Sequence, residues 1–168
     1  TYAYTDSSGI SQCKTIQNAM TNFSATRFFN GTWYVTHVQK KTSDSVCQTF
    51  TASKPSNTTY VVEYSFTGKN GVQNNVYCTA ERGEHQKITF TCKNGGTTFT
   101  AVFVVMDTDY TGSALFYRCV TMTSTGEKND NYLVLSRIDG DKQIPGRLTD
   151  LTSGLGLQSC QEIRAQVA

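Results

Sequence analysis

Eight short segments of this chain alternate apolar with polar residues, and turn-forming residues fill the intervals between them. The segments are GTWYVTHVQ (31–39), SVCQTFTAS (45–53), TYVVEYSF (59–66), VQNNVYCTA (72–80), QKITFTCK (86–93), TTFTAVFVVMD (97–107), GSALFYRCVTM (112–122) and NYLVLSRI (131–138). A period of two marks a strand with one buried face. GKNG at 68–71, ERGE at 81–84, KNGG at 93–96 and TGEKND at 125–130 supply the hairpin turns. An antiparallel meander leaves two open edges unless it closes on itself, and a barrel has none. The expected fold is all-β, an eight-stranded antiparallel β-barrel over about 31–138, inside a single domain covering 1–168. At this strand number the interior is either just filled by side chains or holds one small ligand.

Both flanks show helical spacing. Ile16, Ala19, Met20 and Phe23 precede the first strand and predict a short helical segment. Ile144, Leu148, Leu151 and Leu155 follow the last and predict a helix on the outside of the sheet, ended by Gly154 and Gly156, with a tail to 168. Charged residues are only 17% of the chain and the net charge is +2, too little and too scattered for a nucleic-acid footprint. The longest strongly apolar run, Ala101 to Met106, is far shorter than the roughly 18 residues of a membrane-spanning helix.

Six cysteines, Cys13, Cys47, Cys78, Cys92, Cys119 and Cys160, contain no C-x-x-C pair. That pattern argues for disulfides in an oxidising compartment and against a metal site. Cys78 and Cys92 sit on adjacent strands across ERGE and suit a bridge; the sequence alone leaves the other pairings open. Sequons at Asn22, Asn30 and Asn57 are candidate N-glycosylation sites. Thr1 is expected to be a mature N-terminus, and the chain a secreted, extracellular monomer. No H-E-x-x-H, G-x-S-x-G or phosphate-cradling motif occurs, so no catalytic residue is expected, and no enzyme.

Three clusters resemble the lipocalin signature: NGTWY with Gly31 and Trp33, DTDY with Thr108, Asp109 and Tyr110, and Arg137 in LVLSR. FFNGTWYVTH, VCQTFT, YLVLSR and the cysteine layout are similar to the salivary lipocalins of blood-feeding bugs, the triabin, pallidipin and nitrophorin group. The resemblance implies a calycin barrel with Arg137 lying over Trp33 at its closed end. It also implies the pairings Cys13–Cys119, Cys47–Cys160 and Cys78–Cys92.

With Cys47 and Cys119 facing out, strand parity turns Val46, Gln48 and Phe50 inward on the second strand, and Phe116, Arg118 and Val120 on the seventh. Asn131, Leu133 and Leu135 share the inward phase of Arg137. Tyr60, Val62, Tyr64 and Phe66 form the inner face of the third strand, and His37 continues the row of Trp33 and Val35. The expected ligand-binding residues are thus His37, Gln48, Phe50, Tyr60, Tyr64, Phe66, Phe116, Arg118 and Leu133. His85 reads as a solvated turn residue.

An apolar wall with an inward Arg suits a small amphipathic acid held by its carboxylate. The resemblance implies sequestration of a host mediator such as a thromboxane or leukotriene, with an anti-platelet, anti-haemostatic effect and no cofactor. It also implies an alternative, inhibition of a clotting factor (the thrombin exosite or the contact pathway) through the barrel surface. Amine carriage would want inward carboxylates, which these phases lack; haem carriage would fall to His37, because TYVVEYSF has no His.

Overall fold

A computed structural model describes residues 10–17, 19–40, 48–67, 71–81, 87–140 and 143–167. Eight strands follow a one-turn helix, α1 (Ala25–Phe28): β1 (Gly31–Val38), β2 (Thr49–Ser56), β3 (Thr59–Thr67), β4 (Gln73–Glu81), β5 (Lys87–Asn94), β6 (Thr97–Thr108), β7 (Ser113–Met122) and β8 (Lys128–Ser136). Each pairs antiparallel with the next, and β1 bonds to both β8 and β2. The ring is closed, so no meander edge is left to aggregate. Beyond β8 come a 3₁₀ turn (Gly146–Leu148), α2 (Thr149–Thr152), a two-residue strand β9 (Gln158–Ser159) and α3 (Cys160–Val167).

Alternation works as expected on most strands. On β5, Ile88, Phe90 and Cys92 are buried while Lys87, Thr89, Thr91 and Lys93 are exposed. The β6–β8 wall is buried on both faces. Its inner face joins the barrel core, while Val104, Met106, Leu115, Tyr117, Tyr132 and Val134 form a second cluster outside. That outer cluster is roofed by Ile144, Leu148, Leu151 and Leu155 from the C-terminal flank and by Ile10, Cys13, Ile16 and Ala19 from the N-terminal one.

Both flanks carry the expected short helical elements, over spans that differ from those expected. The predicted C-terminal helix is broken into the 3₁₀ turn and α2, although its four apolar residues do cover the sheet. Before β1, among the described residues, only Ala25–Phe28 is helical; the described stretch ahead is a strap whose Met20 N–H donates to the Val105 carbonyl at 3.0 Å. A reverse turn at Thr21–Asn22, with Asn22 at φ 57°, interrupts any longer helix. A disulfide between Cys13 and Cys119 ties this strap to β7 across a separation of 106 residues. Cys78 and Cys92, directly opposed on β4 and β5, form another inside the barrel. Cys160 is also disulfide-bonded, and Cys47 lies outside the described residues, as does His85.

One expectation about the wall is corrected. The β1–β8 ladder pairs Val35 with Leu135 but His37 with Val134, so Thr36 is an extra residue, a bulge. A bulge shifts everything beyond it by one place and reverses its facing. Val38 therefore takes the inward position opposite Leu133, and His37 turns to the outer side, beside Ser159 of β9. There its Nδ1 lies 2.8 Å from Thr36 Oγ1.

Candidate functional site

The closed end is assembled first by sequence-local choices. Ser24 caps α1, its Oγ accepting from Arg27 N–H at 3.3 Å, and the helix feeds Phe28 and Phe29 under the barrel. Gly31 has φ +80°, a left-handed conformation that would strain any side chain, and it admits the turn into β1. Trp33, 1% exposed, donates from Nε1 to the Phe28 carbonyl at 2.8 Å. The Arg137 guanidinium stands 3.6 Å from the indole centroid, and Nε and Nη1 donate to Tyr110 O (3.1 Å) and Thr32 O (2.8 Å). Burial lowers the pKa of Arg137, yet cation–π contact and two carbonyls hold its charge in place.

The β6–β7 turn completes this end. Thr108 Oγ1 donates to Ser113 O and accepts from Tyr110 N–H. Asp109 Oδ1 accepts from the N–H groups of Gly112 (2.8 Å) and Ser113 (2.9 Å). Burial pushes the Asp109 carboxyl up, but those two bonds and Arg147 outweigh it and hold the group below its usual range. The signature residues Gly31, Trp33, Thr108, Asp109, Tyr110 and Arg137 thus form one closed-end cluster.

From this floor a chain of rings climbs through the interior. Phe28 meets Trp33 at 5.1 Å between centroids and Phe29 at 5.0 Å; Phe29 meets Phe90 (5.2 Å), Phe90 Phe103 (5.0 Å) and Phe103 Phe116 (5.0 Å). Phe116 then meets Phe50 at 6.4 Å, and Phe50 meets Tyr64 edge-on at 5.0 Å. Tyr60 is spent at the floor, its hydroxyl 3.0 Å from Thr26 Oγ1.

Above the rings the lining becomes polar. Arg118, 1% exposed, sits in register with Phe103 and Asn131, and its Cζ is 5.9 Å from the Phe50 ring centroid. Complete burial lowers its pKa to about 9. Gln48 follows Phe50 by one pleat toward the mouth and is 3% exposed; neither Oε1 nor Nε2 has a hydrogen-bond partner among the described residues. Asn131 is committed elsewhere: Oδ1 accepts from the N–H groups of Gln39 and Lys40, and Nδ2 donates to Lys40 O. Asn94 donates to Asn74 Oδ1 at 3.3 Å. Asp130, the one acidic side chain buried among the described residues, lies in register with Cys119 and accepts from the Tyr117 hydroxyl at 2.7 Å, in the outer cluster.

The structure therefore brings Gln48, Phe50, Tyr64, Phe116, Arg118 and Leu133 to one inner wall, with Tyr60 below them. Phe66 is placed by its backbone on β3, opposite Asn74; its side chain lies outside the described residues. His37 is excluded by the bulge. Two contributors escaped the sequence reading. Phe28 and Phe29 were visible only as an apolar pair before GTW, and Ile163 of α3, fully buried, joins the barrel core with Cys160. Ser159-x-x-Glu162 was the available signal for α3, since Ser159 Oγ accepts from Glu162 N–H at 3.1 Å. The sequon residues Asn22, Asn30 and Asn57 are exposed, all around the closed end. No group of three metal-ligating side chains occurs among the described residues.

A closed eight-stranded antiparallel barrel with an Arg-capped Trp at its floor and one inner lining is the architecture of the lipocalins, ligand-binding proteins. The Triabin family model matches residues 8–150, and the chain belongs to that family. Among its relatives from triatomine bugs, procalin of Hospesneotomae protracta is 34% identical over 163 residues, covering 95% of this chain and 91% of procalin. Triabin of Meccus pallidipennis is 38% identical over 130 residues, covering 75% and 79%. Among solved structures, LTBP1 in its leukotriene C4 complex is 30% identical with a TM-score of 0.66, covering 85% of this chain and 89% of that one. The tryptamine complex of the amine binding protein of Rhodnius prolixus, 19% identical with a TM-score of 0.65 over 93% and 88%, shares the fold.

Proposed function

We propose that this protein sequesters an acidic, amphipathic lipid mediator of the leukotriene or thromboxane type inside its barrel and so blunts a haemostatic signal of the host. The observation that carries this reading is the buried guanidinium of Arg118, set over Phe50 on an otherwise aromatic wall. A ligand carboxylate reaching it forms charge-assisted bonds in a medium where they are strong. The ring chain below offers the apolar surface that a lipid tail buries. The likeness to LTBP1, solved with leukotriene C4, supports the same ligand class. Phe116, Arg118 and Leu133 are at most 1% exposed, so a ligand enters by displacing side chains at the mouth. The mechanism is mass-action scavenging with no chemical step, carried out after secretion; the disulfides fit that compartment.

Isothermal titration with leukotriene C4, a thromboxane analogue, serotonin and noradrenaline tests the proposal. Binding of the acidic lipids alone is expected, and Arg118→Met should weaken it by about tenfold to a hundredfold. Binding of the amines alone would overturn it. A second reading, inhibition of a clotting protease through the surface, draws on the outer face of β3–β5, where exposed Tyr77 stands in register with Glu63 and Lys93. A thrombin clotting time with the intact protein checks it.

A further inference from the structure

The interior holds a second buried polar group that a carboxylate at Arg118 does not use. Gln48 is 3% exposed, lies on the inward phase of β2 with Phe50 and Ala52, and has neither amide atom bonded among the described residues. Its carbonyl is employed in the wall, accepting from Val35 N–H at 3.1 Å. A buried carboxamide with both ends unsatisfied is destabilising, because it has given up its water bonds for nothing. Such a group is expected where a ligand supplies the missing bonds.

The chemistry of the two atoms narrows what that ligand carries. Nε2 needs an acceptor and Oε1 needs a donor. A ketone or ether oxygen serves only the first, and an ammonium only the second. A hydroxyl is the smallest group with both a proton and lone pairs. Position narrows it further: Gln48 stands one pleat from Phe50, roughly 7 Å along the strand, and Arg118 lies over the Phe50 ring. A ligand whose carboxylate reaches Arg118 presents to Gln48 the carbons close to that carboxylate.

We infer that Gln48 is a specificity-determining residue that reads a hydroxyl near the carboxylate of a lipid acid, so that the preferred ligands are hydroxylated close to their acidic end. This rests on the lipid reading above and adds which lipids are chosen. A site built to bond a hydroxyl rejects the analogue lacking it, since the amide is then left unpaired.

The test compares arachidonic acid, 5-hydroxyeicosatetraenoic acid and 15-hydroxyeicosatetraenoic acid by titration calorimetry on the wild type and on Gln48→Leu. The wild type should bind the 5-hydroxy acid about tenfold more tightly than the other two. Gln48→Leu should bind all three alike. Without ligand, the same variant should melt about 2–6 °C higher, because an unsatisfied amide has been replaced by an apolar side chain of similar size. Equal wild-type affinities for the three acids, a preference that survives in Gln48→Leu, or a lower melting temperature of the variant would each overturn the inference while leaving the lipid reading standing. Failure of all three acids to bind overturns the inference, and the lipid reading falls with it when leukotriene C4 and the thromboxane analogue also fail to bind.

Discussion

The two ends of the barrel treat buried arginine in opposite ways. At the closed end Arg137 lies against an indole and donates to two carbonyls, and every neighbouring group serves the same cluster. In the upper half Arg118 sits deeper, over a phenylalanine ring, with an unsatisfied carboxamide near it on the same inner wall. The first arrangement lowers the energy of the empty protein. The second includes a buried carboxamide with no hydrogen-bond partner among the described residues. The rigid base and the proposed recognition site thus lie in different storeys of one barrel.

The largest expected effect belongs to the floor. Trp33→Ala should cost about 3–5 kcal/mol in urea unfolding, because a filled aromatic stack does not collapse around the void; a loss below 1 kcal/mol would mean that the floor is not the stabilising end. Next, Arg137→Met should cost about 2 kcal/mol, the sum of a cation–π contact and two charged hydrogen bonds. The same change at Arg118 should cost less, about 1 kcal/mol, because its guanidinium stands 5.9 Å from the Phe50 ring whereas that of Arg137 stands 3.6 Å from the indole. Similar losses at both positions would erase the contrast.

The smallest effects are in pH dependence and have opposite signs. Asp109 has a lowered pKa, so its contribution to stability is present above the ordinary carboxylate range and fades as pH falls through it. Urea midpoints of Asp109→Ala and wild type should therefore converge in acid. Arg118 is lowered to about 9 in the folded protein. Above that pH the unfolded chain binds more protons than the folded one, so through this group stability rises with pH above about 9. Wild type should gain on Arg118→Met between pH 8 and 11 when the two are unfolded side by side. Ionisation of Tyr117 and Tyr132, both raised by burial, affects the pair equally.

Much of this contrast could be read from the sequence, and the misses have physical causes. Strand order, closure and the inward phase of Gln48, Phe50, Phe116 and Arg118 follow from a two-residue period interrupted only at turns. The closed-end cluster was legible through the resemblance of NGTWY, DTDY and the Arg137 of LVLSR to the lipocalin signature. His37 failed because a bulge adds a residue without any glycine or proline to announce it. The N-terminal flank failed differently. Ile16, Ala19, Met20 and Phe23 stand at helical spacing, yet Ile16 and Ala19 pack on the outer cluster and Phe23 on the barrel core, because the segment is a strap tied down by a disulfide. The lack of partners at Gln48 was not visible at all, since satisfaction of a side chain depends on neighbours far away in the chain.

The single extra residue at Thr36 has a reach beyond geometry. Removing one codon there would leave a regular pleat with His37 still on the outer face and Val38 still facing the lumen opposite Leu133. An indel of three nucleotides at this point is therefore silent inside the barrel and felt only on its outer face, where the Thr36 hydroxyl meets the His37 ring.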